Sequence, residues 1–206
     1  MQFPRLFTEQ LNTDKAVQVL HRIADQAFAT PSLIYAVLYH ADREHLGRHG
    51  TSLYGETYLA YHHAAVPSWA NHIYMTLCLP SRDVGLYLQL RRLFLINGEG
   101  WLINRDMSVR GDRGLSQSER DAIDGAVYWY RSASQREILH SRRDLSWQRT
   151  PHGQPIPPAE MRRHGAVPSH PEAAVPRPKA MTFMDGLAQL TPLFAPDEPE
   201  LGGAYV

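Results

Sequence analysis

Ser116-Gln117-Ser118-Glu119-Arg120-Asp121-Ala122-Ile123-Asp124-Gly125-Ala126-Val127-Tyr128-Trp129-Tyr130 is the most informative stretch of the chain. A serine followed three residues later by glutamate is a capping box: the hydroxyl accepts from the third backbone amide while the carboxylate reaches back to the first. Behind it Ala122, Ile123, Ala126, Val127 and Tyr130 recur at helical spacing and mark one apolar face. The spacing predicts a helix that starts at Ser116 and runs on to about Arg142.

Upstream, the same two signals recur. Thr13 is read as the cap of a helix whose Ala16, Val17, Leu20, Ile23, Ala24, Ala27 and Phe28 share a face. Thr30-Pro31 supplies a cap with proline in the first turn, and Gly47 a stop, around the stripe Leu33, Ile34, Val37, Leu38 and Ala41. Tyr54, Tyr58 and Tyr61 have the spacing of a further helical face, ended by Pro67. Ser68 opens a short helix closed by Pro80. Ser81 is read as the cap of another, with Val84, Tyr87, Leu88, Arg91 and Leu95 along it. That helix is expected to end at Asn97-Gly98, a pair that also suits a hairpin turn between residues 93–96 and 101–103. Five to six such helices predict an all-α body, with room for one small β-hairpin near 93–103.

Proline use divides the chain. Eleven of the 15 prolines lie at or beyond Pro151, in runs such as Gln154-Pro155-Ile156-Pro157-Pro158 that favour extended backbone. Residues 1–147 are therefore read as a helical body and 148–206 as a Pro-rich arm. Within the arm, residues 180–206 hold Asp185, Asp197, Glu198 and Glu200 and no basic residue. Phe183, Leu187, Leu190 and Phe194 recur there at near-helical spacing, with Met184 and Leu193 beside them. Apolar anchors within proline-rich chain suit a docking segment, spanning 181–194, that meets either a partner protein or the chain's own body.

Composition narrows the function. Lys+Arg and Asp+Glu both total 21, so the net charge is zero and a generally basic, nucleic-acid-coating protein is excluded. The basic residues are arginines except for Lys15 and Lys179, a choice that suits protein interfaces. A local basic excess remains between 131 and 179, around Arg131, Arg136, Arg142, Arg143 and Arg149, with Trp147 interleaved; this region could bind nucleic acid. One cysteine, Cys78, excludes an intramolecular disulfide framework and a Cys-based zinc site. No apolar run is long enough to span a bilayer, and Met1 to Phe7 lacks a secretory pattern, so an intracellular location is expected.

Eleven histidines raise a metal site. His40 and Glu44 stand one helical turn apart, with His62, His63 and His72 as further nitrogen donors, which would suit a metal-dependent hydrolase using a divalent cation. The spacing is not His-Glu-x-x-His and no second ligating motif supports it, so a solvated or capping histidine cluster is the preferred reading of the same residues. Neither a nucleophile elbow nor a phosphate-binding glycine loop is present. Arg110-Gly111-Asp112 is read as part of a helix connection. The expectation is thus a non-enzymatic structural or interaction subunit of a larger assembly, such as an accessory subunit or a virion component, without cofactor and docking through its arm. A metal-dependent hydrolase and a nucleic-acid-binding accessory protein are the alternatives.

Overall fold

Asn12 and Thr30 begin the first two helices by the same device, a side-chain oxygen accepting a backbone amide one turn on (Lys15 N at 3.0 Å, Leu33 N at 3.3 Å). The structure, a computed structural model, describes residues 11–27, 29–80, 83–105 and 114–163. These belong to one of the two units into which the chain divides, Met1–Pro171. The second unit, with the anchors Phe183, Met184, Leu187, Leu190, Leu193 and Phe194, lies outside the described residues, as do Ser81 and Arg110-Gly111-Asp112.

The described residues are mostly helical, with eight helices and two small hairpins. In chain order they are α1 (Thr13–Gln26), α2 (Pro31–His49), β1 (Tyr58–Ala60), β2 (Ala65–Pro67), α3 (Ser68–Cys78), α4 (Val84–Leu93), β3 (Phe94–Ile96), β4 (Leu102–Asn104), α5 (Gln117–Tyr130), α6 (Gln135–His140), α7 (Leu145–Arg149) and α8 (Pro158–Arg163). Both hairpins are antiparallel, pairing Leu59 with Val66 and Leu95 with Ile103. No described helix is long and apolar enough to cross a membrane.

Helix α2 is the centre of the core. Leu33, Ile34, Ala36, Val37, Leu38, Tyr39, Ala41, Asp42, Arg43, His45 and Leu46 are all buried, so it is enclosed on nearly every side, as a helix inside a bundle must be. It packs most extensively on α5, whose Ala122, Ile123, Ala126, Val127 and Tyr130 form the buried stripe read from the sequence. The capping box at Ser116 and Glu119 is formed in full.

Several boundaries differ from the sequence reading, each for a local reason. Asn12, not Thr13, caps α1. Gly47 lies inside α2, which runs on to His49 and is capped by Gly50, where φ of +75° supplies the left-handed turn. Asp83 caps α4 by accepting from Leu86 N at 2.9 Å. This helix ends at Leu93 and not at Asn97, because Phe94-Leu95-Ile96 pairs as a strand around the Asn97 turn. The expected run to Arg142 breaks after Tyr130 and restarts as α6 with a second capping box, Ser134 and Glu137.

Two further differences concern connections. Tyr54, Tyr58 and Tyr61 are not a helical face: Tyr54 lies in a loop and Tyr58 in β1, each phenol donating to a buried carboxylate, Glu56 and Asp42. Residues 148–163 belong to the packed body. Gly153 N donates to Ala60 O, Ala60 N to Gln154 O and Ile156 N to Tyr58 O, laying extended chain along β1, while Ile156 and Met161 are buried. Proline density here marks an edge segment that needs few ladder bonds.

Asp42 is fully buried and accepts from Ser52 Oγ (2.9 Å), Leu53 N (2.6 Å) and Tyr58 Oη (2.9 Å). Asp42→Ala strands two buried donors, so it is expected to lower stability by roughly 2–5 kcal/mol in urea unfolding. An unchanged midpoint would show that the carboxylate does not hold the 52–58 connection.

Candidate functional site

The histidines and acids that might have held a metal are apart. The His40 ring lies near-parallel to Trp129 at 6.1 Å and edge-on to Tyr130 at 5.8 Å. Glu44 pairs with Arg48 at 2.9 Å along the exposed side of α2. His62 stacks on His152 with ring centroids 3.6 Å apart, and the His63 carbonyl accepts from Arg143 Nε. His72 lies on α3. Among the described residues no group of three His, Cys, Asp or Glu side chains could hold a metal ion.

The arginines of the 131–179 region also part company. Arg131 and Arg136 are exposed, and Arg149 faces Glu160 at 3.8 Å. Arg142 is buried: its Nη1 donates to Ala65 O at 3.0 Å, its guanidinium stands 5.8 Å from the Tyr35 ring centre, and burial lowers its pKa to about 10. A side chain so enclosed holds β2 to the α6–α7 connection and is not presented to phosphates.

Sequence reading passed over Glu56, which has a catalytic acid's protonation behaviour without its accessibility. Burial raises its pKa from the ordinary 4.5 to about 7, against four donors that favour the charged form. Those donors are Thr57 N (2.9 Å), Trp69 N (3.0 Å), Ala70 N (3.2 Å) and Tyr54 Oη (2.8 Å). Two of the amides open α3, whose own N-cap, Pro67, offers no side-chain acceptor. Glu56 is therefore a cap delivered from a distant loop, with its oxygens already engaged.

Among the described residues, a cluster of exposed arginines lies at α4 and the second hairpin. Asn97 Oδ1 accepts from Glu99 N (3.0 Å) and Trp101 N (2.9 Å), and Tyr74 Oη donates to Gly100 O (2.8 Å), fixing the turn between β3 and β4. The returning strand brings Arg105 back to the end of α4, where its amide donates to Leu93 O and its Nη1 to Arg91 O. Leu88, Arg91, Arg92 and Arg105 then line an open cleft of about 510 Å³. Arg91 lies 5.7 Å from the Tyr87 ring centre. Among the described residues no carboxylate pairs with any of these three arginines.

The same region holds a large share of the exposed aliphatic side chains. Val84 and Leu88 are 59% and 49% exposed one turn apart on α4, and Leu95 and Ile103, 47% and 39% exposed, pair across the outer face of the hairpin. Arginine forks beside bare aliphatic groups are the composition of an interface, since cations alone do not need apolar neighbours. No known protein family, curated protein or solved structure matches the chain.

The protonation of Glu56 gives a measurable consequence. Between pH 4.5 and about 7 the folded chain keeps a proton that the unfolded chain has released, so this group's contribution to stability falls as pH rises through that window. Glu56→Gln is expected to flatten that part of the pH–stability curve. It also turns an amide N–H toward backbone donors, lowering stability at pH 5 by roughly 1–3 kcal/mol. A variant whose curve parallels the parent's throughout would refute this role for Glu56.

Proposed function

We propose that the chain is a non-enzymatic interaction subunit of a larger protein assembly. The observation that carries this reading is the α4–hairpin surface, where Val84, Leu88, Leu95 and Ile103 are exposed beside arginines that no described carboxylate neutralises. Solvent-exposed aliphatic clusters promote aggregation unless something covers them, and three like charges around one cleft repel each other until an anion arrives. Both features are relieved by association.

The chemistry of the buried polar groups supports the same reading. Asp42, Glu56 and Asp144 bear hydrogen bonds from backbone amides and phenols that tie segments together. The C-terminal arm supplies a second attachment in this proposal, through Phe183, Met184, Leu187, Leu190, Leu193 and Phe194. An accessory subunit of a multi-protein machine and a virion component both fit this description.

Native-mass analysis of the endogenous protein tests the proposal. The full chain is expected to migrate in a complex well above its own 23.4 kDa. Deleting residues 180–206 is expected to release it from that complex while its helical circular-dichroism signal persists. Migration of the intact endogenous chain alone would refute the assembly role, and an unchanged complex after the deletion would remove the arm from it.

A further inference from the structure

We infer that the α4–hairpin cleft receives an acidic amphipathic helix of a partner protein; this rests on the interaction-subunit reading and names the partner's chemistry. Its carboxylates would pair with Arg91, Arg92 and Arg105, and its apolar stripe would lie on Val84 and Leu88. Three observations select this occupant over other anionic surfaces.

The first is the arrangement along α4. Val84, Leu88 and the Arg91–Arg92 pair follow each other at four and three to four residues, so they form one ridge along one side of the helix. A ridge of this length is complementary to the groove of a second helix, with anchors at matching spacing. The second is the mixture of chemistries. A nucleic-acid strand would use the guanidinium groups and leave Val84 and Leu88 in water, whereas an amphipathic helix with acidic flanks engages both. The third is the open cleft that Leu88, Arg91, Arg92 and Arg105 line beside this ridge, which sets three guanidinium groups next to the aliphatic anchors, where carboxylates flanking an apolar stripe would meet them.

Arginine also suits carboxylates in particular. Its planar fork donates to both carboxylate oxygens at once, and Arg105 is already oriented by the bond it donates to the Arg91 carbonyl at 3.0 Å. Orientation before binding reduces the ordering cost of association. Arg91 and Arg92 stand in the last turn of α4, where the helix dipole favours cations, so the positive charge is held there without a carboxylate.

The full chain is titrated into a fluorescently labelled helical peptide of about five turns, with leucines at positions i, i+4 and i+7 and glutamates on both flanks. Anisotropy reports binding. The expected result is saturable, salt-sensitive binding that weakens by about tenfold or more in Arg91→Glu/Arg92→Glu. A matched peptide carrying lysines in place of glutamates is expected to bind that variant better than the parent chain. Leu88→Ser, an exposed substitution that leaves charge and fold intact, is expected to weaken the glutamate peptide by about tenfold, consistent with loss of an apolar anchor.

Equal binding of a scrambled peptide of the same composition would overturn the inference, because only charge would then be read. Preferential binding of an oligothymidine or of phosphatidylserine vesicles, lost in the same variants, would replace the helix by nucleic acid or membrane. Peptide binding seen only after removal of residues 180–206 would make the chain's own acidic segment the occupant. The parent reading fails separately: a native complex that persists unchanged in Arg91→Glu/Arg92→Glu sinks this inference and leaves the assembly role standing.

Discussion

Enclosing a carboxylate in the middle of a helix core imposes the strongest constraint on this fold. Asp42 lies on the most buried helix, and its burial raises its pKa, so the surrounding chain must offer donors or lose stability. The 52–58 connection supplies them: Ser52, the Leu53 amide and the Tyr58 phenol converge on the two oxygens. Tyr58 in turn begins β1, and Ile156 N bonds to its carbonyl. One charged group therefore fixes the course of the chain after α2 and, through β1, a place for residues 153–156.

A second carboxylate repeats the arrangement one turn away. Tyr39 and Arg43 of α2 both reach Asp144, which also caps α7 through Trp147 N. Glu56, between these in the chain, caps α3. Helix α3 thus takes its cap from Glu56 and α7 from Asp144, while α6 carries its own Ser134 box and α8 is held by Ser146 Oγ donating to the Glu160 carbonyl. This is reasonable for α7 and α8, which are too short to be stable alone and need tertiary contacts to persist.

What the sequence revealed follows from the range of the interactions involved. Helix caps are local, so Thr30-Pro31 and the Ser116–Glu119 box were legible, as was the core stripe of α5. Ser134 and Glu137 have the same local spacing, and the box they form ends the expectation of one helix running to about Arg142. Tyr54 and Tyr58 had helical spacing only by coincidence; their positions are decided by Glu56 and Asp42, and Asp42 is far enough away that no pattern records it. Arg142 has the pattern of surface charge, and its burial depends on Tyr35 and on Ala65 O, the latter 77 residues away in the chain. The cleft was hidden for the same reason. Arg91 and Arg92 were visible on α4, while Arg105 joins them only because the hairpin turns the chain back by its Asn97 and Gly100 contacts.

Where polar capacity remains uncommitted distinguishes the two broad kinds of protein that could have this composition. An enzyme places its titratable groups at a recess with hydrogen-bonding capacity left for a substrate. Here Asp42 and Glu56, whose pKa values burial raises, are enclosed and bonded by their own chain. The recess at α4 holds instead three arginines, hydrogen-bond donors without an acceptor in the side chain. Exposed Val84 and Leu88 extend from the cleft along α4, so the proposed interaction role rests on guanidinium and aliphatic groups presented side by side.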